Sequence, residues 1–262
     1  MTQSISDFIR DLGRTCDWGR VVGGRFSEVP ANPRYPQIYQ GQPVLAALLH
    51  AAYRVGADDA ESVVPIVVEA CSAKAGLDPN VDMQAGARSY PALALAAQLT
   101  RADGLRALLN PARPAGAQLD LARNVSLDAP LQHPVVLAAR SGHFAEMATL
   151  VHRGLPMTRV IASEAYAQIG KHLEARPDGA LVEADQLYDP LNALFGVGVD
   201  LGAPLKSLRG QTLAVAVSEL GHPYLSAMIR QYAATDSVDR VLAQYGAIET
   251  SVRANIARPR TI

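Results

Sequence analysis

The chain has 262 residues, 49% of them hydrophobic but only 5% aromatic, with 24 basic against 25 acidic side chains and a pI near 6.6. That balance supplies ample apolar surface for a core and no basic field to hold nucleic acid, and Ala and Leu in place of aromatics favour packed helices over a sheet sandwich. The longest apolar run, PVLAALLHAA from Pro43, is too short to cross a bilayer, and Cys16 and Cys71 make no disulfide framework.

Residues 1–40 read as a capping segment. SISDFIRDLGR carries Ile5, Phe8, Ile9 and Leu12 at helical spacing, with Ser4 or Ser6 as N-cap. VPANPRYPQIY holds three prolines and is expected to be extended. MTQSISDFIRDLGR shows no basic segment followed by an apolar one, so a cytoplasmic protein is expected, with export by a route that needs no signal peptide as the alternative.

From residue 41 the pattern becomes one of helix pairs. The first unit, 41–89, joins GQPVLAALLHAAYRVGADD to VVPIVVEACSAKAGLDPN, with the acidic GADDAES read as a loop between the two helices. The second, 90–131, runs PALALAAQLTRADGLRALLN and then a loop rich in Pro, Ala and polar residues from Asn110. The third, 132–159, is the clearest. Pro134 opens a helix where no N–H is needed, Gly142 stops it, Phe144, Met147, Leu150 and Val151 share the next helix face, and Gly154 ends that one. A fourth unit is expected at 160–205, ending in LNALFGVGVDLGAP. A fifth, 206–232, contains GQTLAVAVSELGHPYLSAMIRQY, in which Gly221-His222 repeats Gly142-His143. Residues 233–262 read as a closing helix and tail, capped by Asp236 or Ser237, with Val238, Val241, Leu242 and Tyr245 facing inward.

Copies recur at a long period. The Ala-Ala pairs at 96 and 138 stand 42 positions apart, and neither helix of a pair can bury its apolar face alone. His133-Pro134, Ala138-Ala139, Gly142-His143, Leu150-Val151 and Gly154 follow the order of the ankyrin repeat, and Gly210, Thr212, Gly221 and His222 follow it again. Gly198 and Asp200 fit the turn between. The chain thus resembles a divergent ankyrin-repeat protein over residues 41–232. It departs from that family in a period near 40 rather than 33 residues and in having no intact Thr-Pro-Leu-His tetrapeptide. A period near 40 also fits HEAT-type helix pairs, but the Gly-His after Ala-Ala favours ankyrin. The resemblance implies an all-α, ankyrin-like solenoid of helix pairs with expanded loops and non-repeat caps at both ends.

His133, His143 and His152 are spaced ten and nine apart, which matches no compact metal motif. His143 and His222 are expected to hydrogen-bond within their turns, and Glu146 and Glu164 to be solvated. No phosphate loop, dinucleotide fingerprint or HExxH is present. No cofactor, metal or catalytic residue is therefore expected.

The ankyrin resemblance implies a protein-binding scaffold without chemistry of its own, whose partner is another protein rather than nucleic acid or membrane. Two alternatives stand beside it: a secreted bacterial effector acting on host proteins, or an immunity protein that occludes a toxin. Only three of the 24 basic residues are lysines, a bias that fits a GC-rich bacterial genome. In such an array the turns before each first helix and the exposed end of that helix are the contact surface. Tyr90, Gln132, Arg140, Arg209, Gln211 and Glu219 occupy those positions and mix an aromatic, arginines and amides.

Overall fold

In a computed structural model of the protein, the described residues are 38–235 apart from 40–41, 54–56, 86–87, 113–117, 124, 126 and 176–184. The expected amphipathic N-terminal helix, the proline-rich stretch up to residue 37 and the closing helix after 235 lie outside them.

The described chain is predominantly helical. In order come α1 (Val44–Tyr53), α2 (Ala57–Cys71), α3 (Ala92–Ala97), α4 (Asp103–Leu108), α5 (Pro134–Ser141), α6 (Phe144–His152), α7 (Arg159–Ala175), α8 (Tyr188–Gly196), α9 (Leu213–Glu219) and α10, helical over 223–235. Two short antiparallel pairs accompany them. β1 (Ile38–Tyr39) pairs with β2 (Gln42–Pro43), and β3 (Asp82–Ala85) with β4 (Arg88–Pro91), in a register that sets Met83 opposite Tyr90. A single bridge joins Pro204 to Thr212. These extended segments precede α1, α3 and α9, where pairing satisfies backbone groups that no helix takes up.

The helices form two rows. α3 packs on α1 and on α5, and α5 on α7; in the second row α4 packs on α2 and α8 on α6. The short apolar helices make this possible. All six residues of α3 are buried, and in α5 so are Pro134 through Ala139. α7 is met by the 3-10 turn Lys206–Leu208, and Gly170 lets them approach: a Cβ there would stand 2.6 Å from Leu205 Cδ1.

Several polar ties between neighbouring pairs span 40 to 44 residues. His143 bonds to Leu99, 44 residues back, Arg106 to Glu146 across 40, and Arg153 to Leu109 across 44. Asn80 and Asp120 are 40 apart, as are Asn192 and Tyr232. Others span less: Asn80 to Gln118 across 38, Tyr166 to Leu201 across 35 and His172 to Arg140 across 32.

The stops repeat as well. Gly142 has φ +77 and Gly221 φ +87, the left-handed region that suits glycine. In each turn the following histidine N–H closes on the carbonyl five residues back, His143 on Ala138 and His222 on Val217, both at 2.9 Å. Gly154, at φ +76, ends α6 as expected.

Three expectations change. GADDAES is not a loop: residues 57–62 form the opening turns of α2. Acidic residues are favoured at a helix N-terminus by the aligned peptide dipoles. Pro65 then lies inside the helix, on its exposed side. Glu146 is not solvated but buried, because Arg106 reaches it from the neighbouring pair. The His143 N–H closes its own turn but its imidazole does not: Nε2–H donates to the Leu99 carbonyl of the preceding pair at 2.7 Å.

Candidate protein-binding face

Arg209 and Gly210 are consecutive residues in the left-handed region, at φ 54 and φ 81. They reverse the chain tightly, and the Gln211 N–H donates to the Leu208 carbonyl at 2.9 Å. The return leads into Thr212, whose Oγ1 accepts from Val215 N–H at 3.4 Å and caps α9. This turn holds Arg209 and Gln211 out, and Glu219 stands two turns along α9 where its carboxylate accepts from Gln211 Nε2 at 3.5 Å. Together they border a cleft of ≈ 380 Å³. Leu173, Leu208 and Leu220 supply its apolar lining, and Glu174, from the end of α7, lines it too.

Three of the six expected contact residues are therefore brought together, and three are not. Tyr90 lies in β4, half-buried against the core, so it does structural work as well. Gln132 is exposed in the 3-10 turn Pro130–Gln132 before α5. Arg140 is exposed at the other end of that helix, where its carbonyl accepts from His172 Nδ1–H at 3.3 Å. Sequence reasoning missed Glu174 and the exposed apolar pair Leu131 and Val160, 58% and 66% exposed. The turn bearing Leu131 packs on α7, which Val160 helps to open. No repeat motif marks α7, so nothing in the sequence pointed to them.

The histidines are structural in place. His133 and His143 are buried at opposite ends of α5, while His152 is exposed on α6. His172, also buried, sets its ring edge-on to Phe144 at 5.4 Å. Burial pushes the His143 imidazole below its ordinary pKa, against the opposing pull of the Leu99 carbonyl and the Glu146 carboxylate. Among the described residues no three His, Cys, Asp or Glu side chains gather as a metal site, and no helix is long and apolar enough to cross a membrane.

Glu146 is the buried carboxylate in this joint; Asp103, on the arginine's own helix, stands 3.9 Å from Arg106 Nη1. Arg106 Nη2 stands 2.8 Å and Nε 3.0 Å from Glu146 Oε1, a side-on pair from the neighbouring unit. Arg106→Ala is expected to cost about 1–2 kcal/mol, less than the ~3–5 kcal/mol of a wholly buried pair, because the arginine side chain is 68% exposed. Urea unfolding checks this, and an unchanged midpoint would mean that water replaces the guanidinium without loss. Comparison with protein-family models, with curated proteins and with solved structures finds no match to this chain.

Proposed function

We propose that the protein is a non-catalytic scaffold, an ankyrin-like array of helix pairs that holds another protein against the turns and helix ends of one side. The observation that carries this reading is the cleft bounded by Arg209, Gln211 and Glu219. Its exposed arginine and amide around an apolar floor match the composition of protein-contact surfaces. The offset of 40 to 44 residues between several bonded partners supports the array.

Arg209 adds a second line of support. Among the described residues it is the one non-glycine at positive φ. A left-handed conformation costs most side chains about 1–2 kcal/mol, and asparagine tolerates it better. An arginine kept there at such a cost suits a residue held for contact rather than for folding. Arg209→Asn is expected to raise stability by about 0.5–1 kcal/mol while weakening the partner. A variant less stable than the parent would show that the guanidinium serves the fold.

The direct test is a pull-down from the source organism, followed by titration of the captured protein. Changing Arg209, Gln211 and Glu219 together to alanine is expected to leave the far-ultraviolet circular dichroism unchanged and to weaken binding tenfold or more. Undiminished affinity would place the contact surface elsewhere on the chain.

A further inference from the structure

We propose that His133 is a pH-sensitive latch: an imidazole standing where α9 uses a hydroxyl, it holds the first turn of α5 to the α6–α7 connection only while its Nδ1 carries no proton.

The geometry fixes the tautomer. His133 is the N-cap of α5, and its Nδ1 accepts from the Val135 N–H at 3.3 Å. Its Nε2 lies 2.9 Å from the Pro156 carbonyl, which can only accept, so Nε2 bears the hydrogen. One ring thus caps a helix and ties that cap to the chain segment 23 residues on. The side chain is 0% exposed. A proton added to Nδ1 converts the acceptor to a donor and sets N–H against N–H. The ring is buried, so the new hydrogen has no solvent to turn to, and the cap on Val135 is lost even though Nε2–H still faces the Pro156 carbonyl: the link between α5's first turn and the α6–α7 connection is broken at its Val135 end.

The same chain contains its own control. Thr212 caps α9 with Oγ1 accepting from Val215 N–H, and a hydroxyl does not titrate. His143 differs as well. Its imidazole bond to the Leu99 carbonyl uses a hydrogen on Nε2 that a second proton does not remove, and Glu146 beside it favours the cation.

Charged groups on the packed elements do not change this. α3 has no titratable side chain. On α6, Glu146 is paired with Arg106 and His152 is exposed. On α7, Arg159, Lys171 and Glu174 are exposed, half-buried Glu164 accepts from Gln168 Nε2 at 2.6 Å, and His172 meets the opposite end of α5 at the Arg140 carbonyl. The influences on His133 are burial, which lowers its pKa from the ordinary 6.5, and the Pro156 carbonyl, which opposes it. The unfolded or opened chain therefore takes up the proton first as pH falls. The latch is complete above about pH 6.5 and is lost as pH drops through the folded value. Opening frees the turn Pro130–Gln132, which carries the exposed Leu131 and Gln132. This inference stands whether or not a partner docks beside that turn.

The test is amide hydrogen exchange of the full chain between about pH 7 and pH 5. Protection at Val135 is expected to fall with acid by up to about tenfold per pH unit, the limit for one linked proton, while Val215 behind Thr212 holds. In His133→Thr the Val135 protection is expected to become as flat as that of Val215. Val135 protection that ignores pH, or that falls equally in the threonine variant, overturns the latch. If the variant does not fold, nitrogen NMR of the wild-type imidazole decides instead. A bare Nδ1 that gains its proton only as the α5 amides shift supports the proposal, and ordinary titration with α5 undisturbed overturns it.

Discussion

Gly142→Val is expected to lower the unfolding free energy by about 3 kcal/mol, from two causes that act together. The first is backbone conformation: at φ +77 a β-branched residue is strained by about 1–2 kcal/mol. The second is a neighbour. A Cβ at this position would stand 2.5 Å from Cε1 and 2.7 Å from Nε2 of His172. That ring is buried, bonded to the Arg140 carbonyl and set against Phe144, so it has little room to retreat. Overpacking of this kind costs about 1–3 kcal/mol. Gly154 separates the two causes. It has the same conformation, φ +76, and no atom within 4 Å of a built Cβ. Gly154→Val is expected to cost about 1–2 kcal/mol, the conformational part alone. Urea unfolding of both variants checks this, and equal losses would mean that the His172 contact yields without cost.

Ala138→Leu is expected to destabilise by about 1–3 kcal/mol. α5 lies between α3 and α7, and Ala138 and Ala139 have no exposed surface. A leucine would push apart helices whose separation is set by alanine, because a core at crystal-like density has no free volume to take the added atoms. Ala145→Leu, at an exposed position of α6 in the same unit, is the control and is expected to change stability by under about 0.5 kcal/mol. A harmless Ala138→Leu would show that the rows of helices are loosely packed there.

Much of the described fold was legible. The helix of the third unit, its proline start and its two glycine stops all appear where the pattern of residues 133–157 places them. These features are local, since a proline, a glycine or an apolar stripe acts on backbone within one or two turns of itself. GADDAES was misread because charge alone does not separate a loop from the first turn of a helix, where acidic residues are also favoured. α7 was expected only as room for one more unit. Its 17 residues carry none of the repeat's punctuation.

The candidate site was half legible for the same reason. Arg209, Gln211 and Glu219 fall within eleven residues, around one turn and one helix, so their gathering follows from local geometry. Glu174 reaches the cleft from another unit, and no local pattern predicts which unit will face it. The polar partners divide likewise. His133 bonds Val135 two positions away, within reach of local reasoning, but His143 finds Leu99, Glu146 finds Arg106 and His172 finds Arg140 across 32 to 44 residues. Residue types and their spacing were enough to expect short helices in pairs and, in the third unit, their ends. Which histidine is a cap, which carboxylate is buried and which glycine bears a neighbour's ring follow from stacking. Those roles depend on burial and hydrogen-bond partners supplied by an adjacent unit, and a side chain's own segment carries no record of them.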